Sequence, residues 1–598
     1  MSTYQAPLQD IRFILEQLAG LEAISRLPSC ADASPDLVAA IVEEAGKFAA
    51  GVLAPLNPIG DRQGCRYEDG KVYTADGWDD AYRQFAQAGW VGLALPAAYG
   101  GQAMPKIVST PVYEMWSSAN MAFAMLPTLN IGATEALSIA ASAELKARFL
   151  PKLVSGAWGG TMNLTEPQSG SDLSTLRCSA RPQADGSYLL SGQKIFISYG
   201  EHELTENIVH LVLARIPDAP PGVKGISLFV VPKFLVNADG SLGARNDVRC
   251  TAIEEKMGIH ASPTCSMSFG DDGGAVGYLV GQANRGLETM FVMMNEARFG
   301  VGLQGVALGE VAYQKALAYA RERVQGRDAV SGASGAPILC HPDVRRMLLT
   351  MRAKVMAPRM LAYVAGGWFD IARHHPDAAV AERHRRLIDL LMPVVKAWST
   401  EIGNEVTDLA IQVFGGMGFV EETGIAQHKR DLRISTIYEG TTGIQANDLV
   451  GRKILREGGE TLRWLIEEMR GVAGELAAAG ELEPMAATLA GNIASLEQVL
   501  AWILERGKTD LGEVLAGAVP FLHLLGTVCG AWQMGRAALV ARAALASGSG
   551  DSAYLQGIID LARFYYGHLA PQAAALAEVV KHGGPAVVAP GDAVFGPA

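Results

Sequence analysis

Between Trp158 and about Gly281 the hydrophobic pattern of the chain changes period, and no other feature constrains the fold as much. On either side, apolar residues recur every three or four positions, as in DLVAAIVEEAGKFAAGVL and GLQGVALGEVAYQKALAYARERV, the spacing of one helix face. Inside the interval come short apolar or alternating runs, YLLSGQKIFIS, NIVHLVLARI and GISLFVVPKFL. The turn clusters QADG, PDAPPG, NADGS and DDGG separate them. The pattern predicts an α+β multidomain protein: helices, an antiparallel β domain of small-barrel or sandwich type, then helices again.

A chain of 598 residues exceeds one ordinary core. The expected divisions are an extension over 1–34, an N-terminal helical domain over 35–157, and a middle β domain over 158–282. A helical bundle over 283–456 and a C-terminal helical domain over 457–598 complete them, the break falling at REGGE. The tail after Lys581 is Gly/Pro-rich and is expected to be loosely ordered. With 49% hydrophobic residues and a net charge of −12, the chain reads as a soluble protein without the basic face that nucleic acid requires.

Seven cysteines are scattered without a C-x-x-C pair, which fits reduced thiols in the cytoplasm rather than disulfides or zinc. MSTYQAPLQD lacks the basic and apolar regions of a secretory signal. Val514 to Trp532 approaches membrane length, but Pro520 and His523 interrupt it, so a buried bundle helix is expected and no integral membrane segment.

Four segments carry candidate chemistry. In RDLRISTIYEGTTGIQ, Glu439 stands between an extended-looking stretch and a Gly-Thr-Thr-Gly turn, a placement that can aim a carboxylate into a cavity as a base. A plain surface turn has the same composition. Met162 to Asp172 offers hydroxyls at Thr165, Ser169 and Ser171 among small residues, suited to a heterocycle edge and a phosphate, or simply to a solvent-facing turn. In Gly192 to Gly200, strand alternation puts Ile195 and Ile197 on one face and Phe196 and Ser198 on the other, an aromatic beside a hydroxyl. In Ile411 to Phe419, three glycines end a long helix and permit close approach of a ligand.

In this order and spacing the four segments resemble the acyl-CoA dehydrogenase family, over about Asp79 to Arg456. The resemblance implies an N-terminal helical domain, a middle β-barrel-like domain and a helical bundle with FAD between them, followed here by an extra C-terminal bundle. It implies that Leu164 and Thr165 meet the flavin's pyrimidine edge and Ser171 the pyrophosphate. Phe196 and Ser198 take the places of a tryptophan and a threonine beside the ring system. Arg323 matches an arginine that reaches FAD across a subunit interface, although Gly326 stands where the family often has phenylalanine. Gln412, Gly415 and Gly416 match contacts to the adenosine diphosphate, and Thr441 also faces FAD. Ser171, Arg298, Tyr438 and Gly440 fall against the acyl-CoA substrate.

Glu439 falls on the family's catalytic base. Some members carry the base one residue before the arginine that here is Arg298, but this chain has Ala297 there, and Glu296 lies about 100° away around a helix. The implied reaction is α-proton removal by Glu439 and β-hydride transfer to flavin N5, giving a trans-2-enoyl-CoA. An electron-transfer flavoprotein takes the electrons, and the extra bundle implies a homodimer, as in the longer bacterial subgroup acting on medium- or long-chain fatty acyl-CoA or 3-methylmercaptopropionyl-CoA. An acyl-CoA oxidase would share flavin and base. A flavin-bearing DNA-binding relative would carry a basic C-terminal bundle, whereas Glu467, Glu468, Glu475, Glu481 and Glu483 make this one acidic. Met121 to Gly132 is assigned to the acyl pocket wall.

Two patterns point elsewhere. Gly300 to Gly305 spells G-x-G-x-x-G, but TMFVMMNEARF before it reads as helix, so close helix packing is expected rather than a dinucleotide turn. His374, His375 and His384 sit around an inter-helix turn beside Pro376, and no metal site is expected.

Overall fold

The change of period coincides with a β-sheet. The computed structural model describes residues 4–596. Eight strands share one sheet: β1 (Trp158–Asn163), β2 (Ser179–Pro182), β3 (Tyr188–Ser198), β4 (Asn207–Arg215), β5 (Ile226–Pro232), β6 (Val248–Ile253), β7 (Thr264–Phe269) and β8 (Ala275–Val280). They run in the order β6-β7-β3-β8-β5-β4-β1, and β2 pairs with both β3 and β4. The β3-β8-β5-β4-β2 pairings close on themselves, which makes the sheet barrel-like.

The expectation of a purely antiparallel domain is corrected, because β1 and β2 both pair parallel to β4. More than forty residues separate β1 from β4, long enough to bring the chain back in the same direction. NIVHLVLAR and ISLFVVP are buried along nearly their whole length, because elements cover both faces of the central strands. Leu211, Leu213, Phe229 and Val230 form the core with Leu137, Phe149 and Leu153 from the preceding helices.

Contacts divide the chain into two compact units, one built mainly from Glu44–Pro105 and Met115–Gly300, the other from Pro7–Glu43, Lys106–Glu114 and Val301 onward. The helices used below are α1 (Leu8–Gln17), α2 (Lys106–Ala140), α3 (Gly286–Glu322), α4 (Pro342–His374), α5 (Ala378–Pro393), α6 (Ser399–Phe414), α7 (Ile425–Leu432), α8 (Thr442–Asp448), α9 (Glu483–Arg506) and α10 (Ala518–Ser547).

In the first unit, α2 is broken at Asn120, whose backbone is not helical. The Asn120 side chain accepts from Phe123 N–H at 3.0 Å and so caps the second half of the helix. Met121 to Gly132 follows this break, with Met121, Phe123 and Leu126 buried.

In the second unit, a five-residue π-turn, Val394–Trp398, joins α5 to α6. The G-x-G-x-x-G glycines pack helices, as expected. A Cβ on Gly302 would stand 2.4 Å from the Val395 carbonyl oxygen, and one on Gly305 2.3 Å from that of Ser399. Only a hydrogen lets α3 lie this close to the π-turn and the start of α6.

A buried charge cluster ties α1, the start of α2, α3 and α4 together. Arg359, fully buried, donates to Glu114 at 2.7 Å and Glu310 at 2.8 Å, while Arg352 donates to Asp10 at 2.5 Å. Tyr363 donates to Glu114 and Tyr554 to Asp10.

The Val514 to Trp532 stretch lies mostly on α10, where Phe521, Leu522, Leu525 and Val528 are fully buried, so it is a bundle helix. Among the described residues, one helical segment, Gly480–Arg506, is long and apolar enough to cross a membrane. Its Leu489, Leu496 and Ile503 stripe is buried in the bundle. The tail is more ordered than expected: it forms a short helix, Gly584–Val588, whose start packs on Glu513.

Candidate active site

In the first unit the candidate residues gather where β1 runs into the loop after Asn163 and meets β3. Thr165 carbonyl accepts from Ile195 N–H at 2.9 Å, which joins loop to strand. Beneath them lies an ion pair that sequence reading missed. Lys194, fully buried, donates to Glu166 at 2.8 Å and to the Leu164 carbonyl at 3.0 Å. Glu166 also accepts from Arg177 N–H at 2.7 Å and Cys178 N–H at 3.0 Å, so one carboxylate fixes both ends of the loop. Burial works to raise the Glu166 pKa, but the Lys194 ammonium and these N–H donors outweigh it and hold the carboxyl below its ordinary range. A lysine at an inward position of an otherwise apolar strand was the available signal.

The expected alternation along β3 is corrected here. Phe196 has φ of 59°, and Ile195 and Phe196 together oppose the single residue Ser266 of β7. The bulge breaks the period-2 facing, so Lys194 and Ile197 point inward while Phe196 turns out and is 57% exposed. Ser198 resumes the ladder opposite Thr264 and is half-buried. Ser171 is exposed, two residues beyond Ser169, whose hydroxyl is taken up by the Asp172 carbonyl. Still in this unit, Ala297 is buried on α3 and Arg298 stacks its guanidinium 5.8 Å from the Phe291 ring centroid.

In the second unit the stretch before Glu439 is not extended. It is α7 followed by a 3-10 turn, Arg433–Thr436, and the Gly-Thr-Thr-Gly segment opens α8 instead of forming a free turn. The Thr441 hydroxyl caps α8 by accepting from Ile444 N–H at 3.2 Å. Between the two helices Glu439 takes φ of 56° and Gly440 φ of 91°. A left-handed glutamate is strained by about 1–2 kcal/mol and persists only where its surroundings hold it.

Those surroundings are two buried side chains, again missed in the sequence. Gln445 donates to the Glu439 carbonyl at 3.1 Å, and Lys396 of the π-turn donates to the Gly440 carbonyl at 2.6 Å. Any side chain on Gly440 would collide with Gln445 Nε2, 2.6 Å from its Cβ position.

Glu439 itself is half-buried. The neighbouring Tyr438 hydroxyl donates to Gln304, which donates to the Tyr113 hydroxyl at 3.2 Å. Burial, then the nearby Tyr113 and the Glu439 charge, push the Tyr438 phenol well above its ordinary pKa, so it stays protonated.

The three glycines after α6 divide the work. Gly415 ends the helix at φ of 62° and Gly418 packs 2.3 Å, measured to its Cβ position, from the Ile411 carbonyl. Gly415 and Gly416 face open space, beside an exposed Gln412. Arg323 is exposed just past the end of α3, where its carbonyl accepts from Ile338 N–H at 2.7 Å. Among the described residues no group of three or more histidines, cysteines or carboxylates could hold a metal, and His374 instead bonds Ser29 at 2.7 Å.

In the first unit, an aromatic face turned out of the sheet beside a rigidly held hydroxyl loop suits a flat ligand. In the second, a glycine pair leaves its backbone open to an anionic group.

Family models for the acyl-CoA dehydrogenase N-terminal, middle and C-terminal domains match residues 38–157, 161–271 and 284–454, and an acetyl-CoA dehydrogenase C-terminal-like model matches 465–590. The chain is 49% identical to 3-methylmercaptopropionyl-CoA dehydrogenase of Ruegeria pomeroyi, over 94% of this chain and 95% of the relative. It is 35% identical to a butyryl-CoA dehydrogenase of Syntrophomonas wolfei over 95% of each chain. A broad-specificity linear acyl-CoA dehydrogenase of Mycobacterium tuberculosis is 34% identical over 97% of this chain and 98% of its own length.

Two solved structures share the fold. Caenorhabditis elegans ACDH-11 in complex with C11-CoA superposes with a TM-score of 0.77 at 18% identity, covering 97% of this chain and 96% of its own. A Bacillus anthracis acyl-CoA dehydrogenase complexed with FAD gives 0.74 at 21% identity, covering 95% and 91%. The chain, an FAD-dependent oxidoreductase, belongs to the acyl-CoA dehydrogenase family.

Proposed function

We propose that the enzyme desaturates a short acyl-CoA thioester between Cα and Cβ, with Glu439 as the base that removes the α-proton. The observation that carries this is the turn itself: a half-buried carboxylate held in a left-handed conformation by two buried side chains. A base fixed in this way meets the α-carbon without a conformational search. The Glu439 N–H donates to the thioester oxygen as it gathers negative charge. Substrate closing over the turn excludes water and strengthens the carboxylate as a base. Bound FAD supplies the acceptor for the β-hydride.

In this reading Leu164, Thr165, Ser171, Phe196, Ser198, Arg323, Gln412, Gly415, Gly416 and Thr441 are the FAD-binding residues. Ser171, Arg298, Tyr438 and Gly440 contact the acyl-CoA. Electrons leave to an electron-transfer flavoprotein, and the enzyme works as a cytoplasmic homodimer within acyl-CoA catabolism. The names of the relatives support 3-methylmercaptopropionyl-CoA and butyryl-CoA as the first substrates to try.

Anaerobic titration of the purified yellow protein with an acyl-CoA panel, following loss of flavin absorbance, tests the proposal. Bleaching by short thioesters, with one equivalent of enoyl-CoA formed per flavin, is expected. A flavin that no acyl-CoA bleaches would reject it.

A further inference from the structure

Lys396 is fully buried, lies outside every candidate set read from the sequence, and has no part in the proton transfer itself. Placing an ammonium where water cannot reach it is costly unless strong partners are provided. One of its partners is the Gly440 carbonyl, 2.6 Å away and one peptide beyond Glu439.

The support of Lys396 is unusual as well. It sits in the middle of the π-turn that follows Pro393, a wider turn than an α-helix makes, of a kind that recurs where a helix must re-aim a side chain. Gly302 on α3 packs on Val395 of that turn from one side, and Gly526 of α10 packs directly on its Trp398 from another. Two elements therefore fix the turn that carries a lysine whose head holds a strained loop.

From this geometry we infer that Lys396 is a positioning residue for the proposed base. Together with Gln445 on the preceding carbonyl, it pins the two peptide planes that hold Glu439 and Gly440 at positive φ. Without the ammonium, the Gly440 carbonyl loses its buried donor and the turn relaxes toward right-handed conformations that re-aim the carboxylate. The inference rests on Glu439 being the base.

The test compares full-length, FAD-loaded wild type, Lys396→Met, Lys396→Gln and Glu439→Gln in anaerobic stopped-flow with butyryl-CoA and 3-methylmercaptopropionyl-CoA. A misplaced base slows chemistry without weakening binding. Lys396→Met should thus keep its flavin and its half-saturating substrate concentration within about twofold, while the limiting bleaching rate falls about tenfold to hundredfold. Lys396→Gln, with a shorter neutral donor, should fall between the two. If Lys396→Met does not fold, Lys396→Gln decides: a reduced limiting rate with unchanged affinity supports the inference, and a wild-type rate overturns it. Parallel losses of flavin, affinity and rate would also overturn it, because they mark a general structural role. Should Glu439→Gln bleach normally, the base assignment fails and the inference goes with it. If Glu439→Gln is inert and Lys396→Met is as fast as wild type, the positioning role alone is lost.

Discussion

Glu439 and Glu166 are both glutamates beside a lysine-anchored loop, yet their environments give them opposite tasks. Glu439 is half-buried on a strained turn, with its backbone carbonyl held by Gln445. Glu166 is buried and spends its oxygens on Lys194 and two N–H groups. Breaking a buried pair on one side costs about 3–5 kcal/mol, so Lys194→Met should lower the unfolding midpoint and release FAD, read by denaturant titration and flavin absorbance. The pH dependence has a definite sign. The folded pKa of Glu166 lies below its ordinary value, so its contribution is complete above the ordinary carboxylate range and fades as pH falls through the folded pKa. Unfolding free energies measured between about pH 6 and pH 3 should therefore decline less steeply in Glu166→Gln than in wild type.

At the scale of elements, hydrophobic period and structure agree wherever one periodicity runs unbroken, as in the β-sheet and the packed glycines of α3. They part at three junctions, each for a physical reason. The Phe196 bulge adds a residue that no alternation encodes, and β1 and β2 run parallel to β4 because long connections leave direction open. The stretch before Glu439 is rich in β-branched residues, yet tertiary packing makes it helical. Lys396 and Gln445 were invisible for a related reason, since each lies far in sequence or in role from the carbonyl it serves. Gly305→Ala tests the packing of α3 on the start of α6. Its Cβ would stand 2.3 Å from a backbone oxygen, so destabilisation of about 1–3 kcal/mol is expected in thermal or urea unfolding. Thr441→Ala should cost about 1 kcal/mol through loss of the α8 cap, measured the same way.

For the whole molecule, the buried charge cluster joins the apolar stripe of α1, Ile11, Ile14 and Leu15, in tying the N-terminal extension to the fold. Three carboxylates, Asp10, Glu114 and Glu310, surround two guanidiniums, Arg352 and Arg359. Burial raises the Glu114 pKa despite Arg359, whereas at Asp10 the two arginines overcome burial and lower it. Asp10→Asn should destabilise by about 3–5 kcal/mol at neutral pH, and the difference from wild type should shrink as pH falls through the Asp10 folded pKa. Chemical unfolding at pH 7 and at acid pH measures both. The claim on which the functional reading stands is narrower: one carboxylate starts the reaction. Anaerobic mixing of FAD-loaded Glu439→Gln with butyryl-CoA and 3-methylmercaptopropionyl-CoA tests it most directly. Retained flavin and substrate binding, with bleaching slowed by about a thousandfold or more, is the expected outcome. Bleaching at the wild-type rate would contradict it.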